Sequence, residues 1–389
     1  MILRHRRNLN FLPLRERRHL NIIAHYFDTT IDNIVFTCKA TDGLRLVLSR
    51  LLDSGDKVLV SPYTCITVIE AIVETGMIPA YMNIADGDFI CYPEYNLDEG
   101  IKAIIATHVF GVVCDMDLYS RTAAKHNLIL IEDCAQAFSS SSSRNQHVNV
   151  GTVGDFSIFS FGNGKTIDLG GGGALVINNS LFKSKLLSDV KCRNERINKV
   201  FYRIKSLADH ARRTLALRAK IFFAKLLVLK PHSEVNYLAQ QNPAQLEPVF
   251  NTKVLYSLLE IDLQGSISHR KAISKIYLEH IIENERIRVP QRDDISDATV
   301  MPFFPLAVRQ RYELYNFLYV NGIDCGFSFS YYCDENRNVH HQCTESLSDL
   351  ILNIPVHEDV SSDSAHQIVS LINQWSGAAK IGAECELHT

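Results

Sequence analysis

The sequence has no CxxC pair, no long apolar run and no excess of charge of one sign, and each absence argues against a class of protein. Ten scattered cysteines favour free thiols in a reducing compartment over a disulfide framework. One group rich in Cys and His fits no zinc spacing, so we expect no metal site; its members are Cys325, Cys333, His340, His341 and Cys343. The net charge of -3, with 21% charged residues, gives no indication of nucleic-acid binding.

Residues 1–18 are basic but contain no continuous apolar segment. We therefore expect neither a signal peptide nor a membrane span in this region, and we expect a cytoplasmic protein. The 389 residues are enough for a large domain and a smaller one.

The most informative stretch is 128–178, where short apolar runs end at polar residues. Residues 128–131 (LILI) form an unbroken apolar run that predicts a strand buried on both faces, and Glu132 and Asp133 follow it. Two further runs, DFSIFSF and GALVI, flank a glycine-containing loop that carries Lys165. Alternating strands and helices predict a mostly parallel sheet, and such sheets bind ligands at the carboxyl ends of their strands.

An acid and a lysine in this setting suit pyridoxal 5'-phosphate (PLP). That cofactor needs a lysine to hold its aldehyde as a Schiff base and a carboxylate beside its ring nitrogen to keep the ring protonated. A carboxylate beside a cation is favoured in its ionised form. The residues alone leave another interpretation open, in which Asp133 caps a helix and Lys165 is a solvated loop lysine.

Several collinear segments within 52–178 resemble the DegT/StrS family of PLP-dependent sugar aminotransferases. In family order they read SGDKVLVSPYT, ETGMIPAYMNI, ATHVFGVVCDMDLYSRTAAKHNLILIEDCAQAF and VGTVGDFSIFSFGNGKT. The resemblance implies an α/β protein of fold type I, with a large PLP-binding domain built on a mostly parallel sheet and a smaller C-terminal α/β domain. We expect an N-terminal arm at 1–35, the large domain at 36–198, a basic helical insertion at 199–240 and the smaller domain at 241–389.

The resemblance also implies roles for residues around the acid and the lysine. Lys165 matches the catalytic lysine and Asp133 the partner of the ring nitrogen. Gln136 matches a residue that contacts the cofactor near its phenolic oxygen or its face. Ser160 matches a serine that donates to the phosphate. The family commonly has an acid where this chain has Gly171, which we expect to alter the loop more than the chemistry.

The phosphate end is expected at the start of the helix that follows residue 39. KATDGL resembles the family's NGTdAL motif, so Thr41 and Asp42 are expected to bind the cofactor, because free amides and a positive dipole favour a dianion at a helix N-terminus. An ordinary N-cap is the alternative for Thr41. Asn251 matches an Asn that, in the family, reaches the phosphate of the neighbouring subunit. A homodimer with shared active sites is therefore expected, although Lys253 replaces the family's Arg.

Three further features have open interpretations. His108 follows a predicted strand and either lies near the cofactor or is structural. Either Tyr63, Cys65 or another residue stacks on the pyridine ring. Residues 199–230 carry nine Lys and Arg residues and one Asp along an amphipathic helical pattern. This helix either packs on the large domain, steers an acidic substrate, or lies on an anionic membrane surface, and we favour the first.

The expected activity is transfer of an amino group from an amino acid, glutamate by family habit, to a nucleotide-linked keto-sugar for surface polysaccharide or secondary-metabolite synthesis. Lys165 would move the proton as general base and acid. One alternative is amination of a cyclitol or another ketone without a nucleotide. Another is a non-catalytic protein of this fold that acts at a membrane. A sugar dehydratase is the weaker option, because that relative has His in place of Lys165.

Overall fold

The protein is described here by a computed structural model that covers residues 24–84, 99–141, 149–187, 261–290, 298–327 and 349–377, with short pieces at 21, 91–92, 97, 191–193, 249–251, 254, 258 and 295. The strands are β1 (Ile34–Thr37), β2 (Lys57–Val60), β3 (Ile78–Tyr81), β4 (Asn83–Ile84), β5 (Cys91–Tyr92), β6 (Ile101–Thr107), β7 (Ile129–Asp133), β8 (Phe156–Ser160), β9 (Gly173–Ile177), β10 (Lys191–Arg193), β11 (Val249–Asn251), β12 (Ile287–Arg288), β13 (Phe304–Val308) and β14 (Ile351–Ile354). The α-helices are α1 (Ala40–Leu51), α2 (Ile66–Glu74), α3 (Met116–His126), α4 (Lys183–Leu187), α5 (Leu263–His280), α6 (Arg311–Val320) and α7 (Ser362–Ser376).

Seven strands form one sheet in the order β1-β9-β8-β7-β6-β2-β3. The five strands from β8 to β3 are parallel, and β9 and β1 are antiparallel additions at one edge. Every residue of β9 is buried, as its unbroken apolar run predicts for a strand covered on both faces. The mostly parallel sheet expected from the sequence is therefore confirmed.

Helix α1 packs closely against β8 and β9. A Cβ on Gly43 would lie 3.0 Å from Cβ of Leu175 and 3.3 Å from Cδ1 of Ile158, so the absence of a side chain at residue 43 lets the helix approach the sheet. Phe27 is 1% exposed and packs edge-on against Phe159, with 4.8 Å between the ring centroids. The C-terminal part of the expected arm thus belongs to the core of the large sheet.

A second, smaller core lies around the antiparallel sheet β12-β13-β14 and helices α5, α6 and α7. Tyr277 of α5 is fully buried there, and its hydroxyl donates to the carbonyl of Pro355 at 2.9 Å. The expected smaller α/β unit is confirmed, while the segment boundaries at 35, 198 and 240 stay predictions. Within the described ranges, no helix combines the length and apolar composition that crossing a bilayer requires. The basic segment 199–230 lies outside those ranges.

Candidate active site

The candidate site lies at the carboxyl ends of β6, β7 and β8. Asp133 is the last residue of β7 and is in register with Thr107 of β6 and Ile158 of β8. Its Oδ1 accepts a hydrogen bond from the amide of Ala135 at 3.0 Å, which fixes the carboxylate at the strand end. Asp133 as a whole residue is half-buried.

Burial raises the pKa of Asp133, because the charged form loses water. The amide of Ala135 and the positive charge of Lys165 act in the opposite direction and lower that pKa, without outweighing burial. Lys165 is therefore close enough to Asp133 for the two charges to interact, although they lie 32 positions apart in the chain. A further cation beside Asp133 would favour its ionised form.

Lys165 belongs to a tight loop between β8 and β9. Its own amide donates to the carbonyl of Gly162 at 3.2 Å, which closes a turn just before the side chain. The side chain is half-buried, and its ammonium has no hydrogen bond or ion pair with any residue that the structure describes. Asp168 bridges the loop: Oδ2 accepts from the amide of Gly164 at 3.1 Å and Oδ1 from the amide of Gly170 at 2.8 Å.

Glu132, the neighbour of Asp133 on β7, is fully buried and points into a network of four donors. Its Oε1 accepts from the amides of Val153 and Gly154 at 2.8 and 2.7 Å. Its Oε2 accepts from the amide of Gly151 at 2.8 Å and from Nε2 of His108 at 3.1 Å. Burial opposes the charge, but these hydrogen bonds outweigh it and lower the pKa of Glu132.

The contacts of His108 define its tautomer. Its Nδ1 accepts from the amide of Cys114 at 3.1 Å, so Nε2 carries the proton and donates it to Glu132. The imidazole is fully buried, and both ring nitrogens are used within the protein. The structure thus favours the structural interpretation of His108, which ties β6 to β7 beneath Asp133.

His108, Glu132 and Cys134 offer ligand atoms within 4.8 Å of one another, but the donor set does not fit a metal ion. Both oxygens of Glu132 are already occupied by amides or by His108. Burial, with the carboxylates of Glu132 and Asp133, raises the pKa of Cys134 well above its usual range, so the thiol stays protonated. Among the described residues, His108, Glu132 and Cys134 therefore form a structural hydrogen-bond network and not a metal site.

The start of α1 meets the end of β8 across a single glycine. Gly173 is in register with Ser160, and a Cβ on Gly173 would lie 2.5 Å from both N and Cα of Ala40. Any side chain at residue 173 would fill the space where the helix N-terminus reaches the sheet. Thr41 and Ser160 are therefore brought to the same place, although 119 positions separate them in the chain.

The polar groups of this helix start are held by Arg45. Its Nη1 donates to the hydroxyl of Thr41 at 3.0 Å and lies 3.4 Å from Oδ1 of Asp42, while Nη2 lies 2.6 Å from Oε2 of Glu74. Asp42 also accepts from the amide of Lys39 at 2.9 Å. Burial raises the pKa of Asp42, and the Lys39 amide and the Arg45 charge lower it in part. Thr41 accepts from Arg45, so its hydroxyl hydrogen remains available to a ligand.

Gln136 lies beyond Asp133 and supports a strained turn. Its Oε1 accepts from the amide of Phe110 at 2.8 Å, and Phe110 has φ 57°, a left-handed conformation that costs energy for an aromatic residue. The amide nitrogen of Gln136 keeps its two hydrogens for other acceptors. Tyr63 is fully buried with its ring 6.1 Å from that of Phe110, whereas Cys65 is half-buried at the start of α2.

A cavity of about 520 Å³ lies behind the lysine loop. It is lined by residues 166–168, which follow Lys165, and by Asp262, Ser266 and Glu358 among others. Lys165 itself is not among the lining residues, so this cavity is distinct from the space between Lys165 and Asp133. The charges of Asp168 and Glu358 act on the buried guanidinium of Arg270 across it.

Three residues that hold the site were not found by sequence reasoning: Glu132, Arg45 and Asp168. Glu132 stands beside Asp133, but its partners come from a different loop, and Arg45 of α1 pairs with Glu74 at the end of α2, 29 positions away. Asp168 could have been found from the local sequence, because Gly164 precedes it and Gly170 follows it. An Asp between glycines in a loop is typical of a side chain that accepts hydrogen bonds from nearby backbone amides. Of the remaining predicted residues, Asn251 ends β11, its side chain is not described, and Lys253 lies outside the described residues.

The arrangement fits PLP in three respects. A half-buried amine without a polar partner lies near a carboxylate whose ionisation a ring cation would favour. The N-terminus of α1, with the hydroxyl of Thr41, packs against Gly173, which is paired with Ser160 of β8, and a helix N-terminus suits a phosphate. The amide hydrogens of Gln136 lie on the same strand end as Asp133. Together they could hold an aldehyde, a phosphate and a protonated ring nitrogen.

Comparison with solved structures shows the same fold. The B. subtilis NtdA structure, determined with its cofactor PMP bound, matches 93% of this chain and 77% of that one with a TM-score of 0.64 at 17% identity. The topology is therefore that of the fold type I aminotransferases.

The curated relatives match about two fifths of the chain. GDP-perosamine synthase of Vibrio cholerae is 33% identical over 41% of this chain and 42% of its own length. The L-glutamine:2-deoxy-scyllo-inosose aminotransferase of Streptomyces fradiae is 30% identical over 41% of this chain and 38% of its own. The match thus spans about two fifths of these relatives. The profile of the DegT/DnrJ/EryC1/StrS aminotransferase family matches residues 23–211 of this chain.

Proposed function

We propose that the protein is a PLP-dependent aminotransferase that moves an amino group from an amino acid, with glutamate as the first candidate, to a nucleotide-linked keto-sugar. The observation that carries the proposal is the convergence of Lys165 and Asp133 at one sheet edge, close enough for the lysine charge to act on the carboxylate. The match of residues 23–211 to the family profile and the PMP bound by a protein of the same fold support the choice of cofactor.

When bound, PLP supplies an aldehyde that condenses with amines and a ring that withdraws electrons. The ionised carboxylate of Asp133 would accept a hydrogen bond from the protonated ring nitrogen and so keep the proton on the ring. The hydroxyls of Thr41 and Ser160 would donate to the phosphate, together with the free amides at the start of α1. Gln136 would donate a hydrogen bond to the cofactor from its amide nitrogen. Asp42 would act indirectly, by accepting from the amide of Lys39 and so fixing the start of α1.

Lys165 would carry the proton transfer. Its Nζ has no competing hydrogen bond among the described residues, so it can reach both the cofactor and a substrate carbon. In the proposal, Nζ takes the proton from the α-carbon of the amino donor as a general base and returns a proton as a general acid. Asn251 of a second copy would complete the phosphate site, which makes the proposed enzyme a homodimer.

The nucleotide-linked keto-sugar is supported by the name of the V. cholerae relative, and a second candidate is supported by that of the S. fradiae relative, which acts on a scyllo-inosose. A cyclitol ketone without a nucleotide is therefore the alternative acceptor, and glutamine the alternative donor. Both candidates use the same lysine and aspartate, so they differ in the acceptor pocket and not in the chemistry.

The test uses purified protein mixed with PLP and read first by visible absorbance. After unbound PLP has been removed, we expect a band for the wild type that is absent in Lys165→Ala and present in Lys275→Ala, whose exposed lysine on α5 pairs with Glu279. A panel of nucleotide-linked keto-sugars and 2-deoxy-scyllo-inosose, each with glutamate or glutamine, is then read by product mass. A band that survives in Lys165→Ala, or no aminated product from any acceptor, would refute the proposal.

A further inference from the structure

The loop that carries Lys165 is rich in glycines whose backbone conformation suits glycine. Gly164, Gly170 and Gly171 all have positive φ, at 73°, 70° and 152°, and a Cβ on Gly164 or Gly171 would meet nothing within 4 Å. Such a glycine-rich segment loses much conformational freedom when it is fixed in one shape. Without ties between its ends, Lys165 would sample many positions.

Asp168 provides those ties. Its two carboxylate oxygens accept from the amide of Gly164, just before Lys165, at 3.1 Å and from the amide of Gly170 at 2.8 Å. The segment 164–170 is thereby closed into a ring around Lys165. Hydrogen bonds from amides to an ionised carboxylate are stronger than those between neutral groups.

The second half of the loop is fixed to the sheet. The amides of Leu169 and Gly171 donate to the carbonyl of Phe161 at 2.9 and 3.1 Å. Asp168 therefore connects a fixed end, at residues 169–171, to the free turn that presents Lys165. The turn before Lys165 is also held by one backbone hydrogen bond, from the amide of Lys165 to the carbonyl of Gly162 at 3.2 Å.

We propose that Asp168 is a positioning residue for the reaction: by bridging the amides of Gly164 and Gly170, it holds the Lys165 amine in place over the carboxylate of Asp133. This inference rests on the proposed function. A displacement of a reacting group by about 1 Å can lower a rate about 100-fold, so a loop that loses this bridge should lose turnover rather than substrate binding.

The carboxylate also faces a charge across the cavity behind the loop. Asp168 acts on Arg270, whose Nη1 donates to the carbonyl of Pro302 at 2.7 Å and whose Nη2 lies 3.4 Å from Glu358. Asp168→Asn keeps one acceptor oxygen and removes the charge, whereas Asp168→Ala removes both acceptors. Asp168→Asn can therefore keep one of the two hydrogen bonds, whereas Asp168→Ala loses both, so the two variants grade the loss of the bridge.

The first experiment follows backbone amide hydrogen exchange by mass spectrometry in cofactor-free protein. We expect exchange in a peptide covering 161–172 to be about tenfold faster in Asp168→Ala than in the wild type, with a smaller increase in Asp168→Asn. The control is Asp115→Ala, in which a carboxylate that caps the amide of Leu118 on α3 is removed far from the loop. Exchange in 161–172 should not change in that control.

The second experiment measures steady-state rates normalised to bound PLP, which removes any effect of unfolded or unloaded protein. We expect kcat to fall about 10- to 100-fold in Asp168→Ala, with KM for the amino acceptor changed by less than about threefold, and an intermediate loss in Asp168→Asn. Asp115→Ala should retain the wild-type kcat.

Unchanged exchange in 161–172 would overturn the bridge, and faster exchange with unchanged kcat would overturn the positioning role. A wild type that shows neither a visible band nor an aminated product would refute the proposed function, and with it the positioning role. In that case exchange in 161–172 would still show whether Asp168 bridges the loop.

Discussion

The buried hydrogen-bond network of Glu132 makes a quantitative prediction about stability. In Glu132→Gln the side chain keeps its shape but exchanges one acceptor oxygen for a donor NH₂ group. The four groups around residue 132 are all donors: three backbone amides and Nε2 of His108. Whichever way the amide is turned, its NH₂ group faces two donors.

His108 cannot relieve this conflict by changing tautomer. Its Nδ1 is needed to accept from the amide of Cys114, so the proton has to stay on Nε2. Two hydrogen bonds to a charged acceptor are lost, each worth about 1.5–3 kcal/mol, and the gain from no longer burying a charge offsets part of the loss. We expect a net loss of about 3 kcal/mol in the free energy of unfolding.

The assay is thermal unfolding of cofactor-free protein at several pH values. At neutral pH we expect Tm to fall by about 6 °C, taking roughly 2 °C per kcal/mol for a protein of this size. The folded-state pKa of Glu132 is lowered, so its stabilising effect is present above the unfolded-state pKa and is lost as the pH falls through the folded value. The difference between wild type and variant should therefore shrink with acidification below about pH 4.5.

A variant as stable as the wild type at neutral pH would show that the four donors do not depend on the charge. A difference that grows with acidification would contradict the direction assigned to the pKa of Glu132. Asp115→Ala is again a suitable comparison, because it removes a carboxylate that accepts a single backbone amide, and it should cost about 1 kcal/mol.

Three further predictions concern the proposed cofactor site. Asp133 must be ionised to hold a protonated ring, and its pKa is raised. We therefore expect PLP affinity, measured by absorbance titration, to fall as the pH drops through the pKa of Asp133. Asp133→Asn should bind PLP more weakly and should lack this pH dependence. Gly173→Ala should weaken PLP binding at least about tenfold, because the new Cβ would force α1 away from β8. Gly326→Ala is the control and should not weaken binding, because the nearest atom to its new Cβ would be 3.7 Å away. Equal affinities of the two variants would contradict the contact at Gly173. Gln136→Ala leaves the buried amide of Phe110 without its acceptor and should cost about 1–3 kcal/mol in chemical unfolding, and an unchanged midpoint would show that another group accepts it.

The strands around the site were predictable because their environment is uniform. A strand covered on both faces has to be apolar throughout, so GALVI and LILI were recognised without knowledge of the fold, and β9 runs from Gly173 to Ile177 as predicted. The observed β7 extends to Asp133, two residues beyond its apolar run, because Glu132 is buried with hydrogen-bond partners and continues the strand. Local hydrophobic pattern cannot reveal a buried charge of that kind.

Contacts between distant segments were not predictable from one sequence. Arg45 reaches Glu74 across 29 positions, and Glu132 reaches the amide of Gly154 across 22. In each case the polar residue would be read as a surface residue until its partners are known, since no periodicity marks it. Asp133 and Lys165 were found because their chemistry pointed to a cofactor and the family resemblance supplied the pairing.

Arg45 also explains how an acid can stand at a helix start that we propose binds phosphate. An uncompensated carboxylate on Asp42 would repel a dianion approaching the amides of α1, and it would cancel part of the helix dipole. The guanidinium of Arg45 lies 3.4 Å from that carboxylate and also donates to Thr41, so it neutralises the acid and orients the hydroxyl at once. Because Glu74 holds the other side of the guanidinium at 2.6 Å, Arg45 cannot swing out to bind the phosphate itself. The attraction for a dianion at this end therefore has to come from the backbone amides and the hydroxyls of Thr41 and Ser160, which is why the close approach permitted by Gly173 matters to the site.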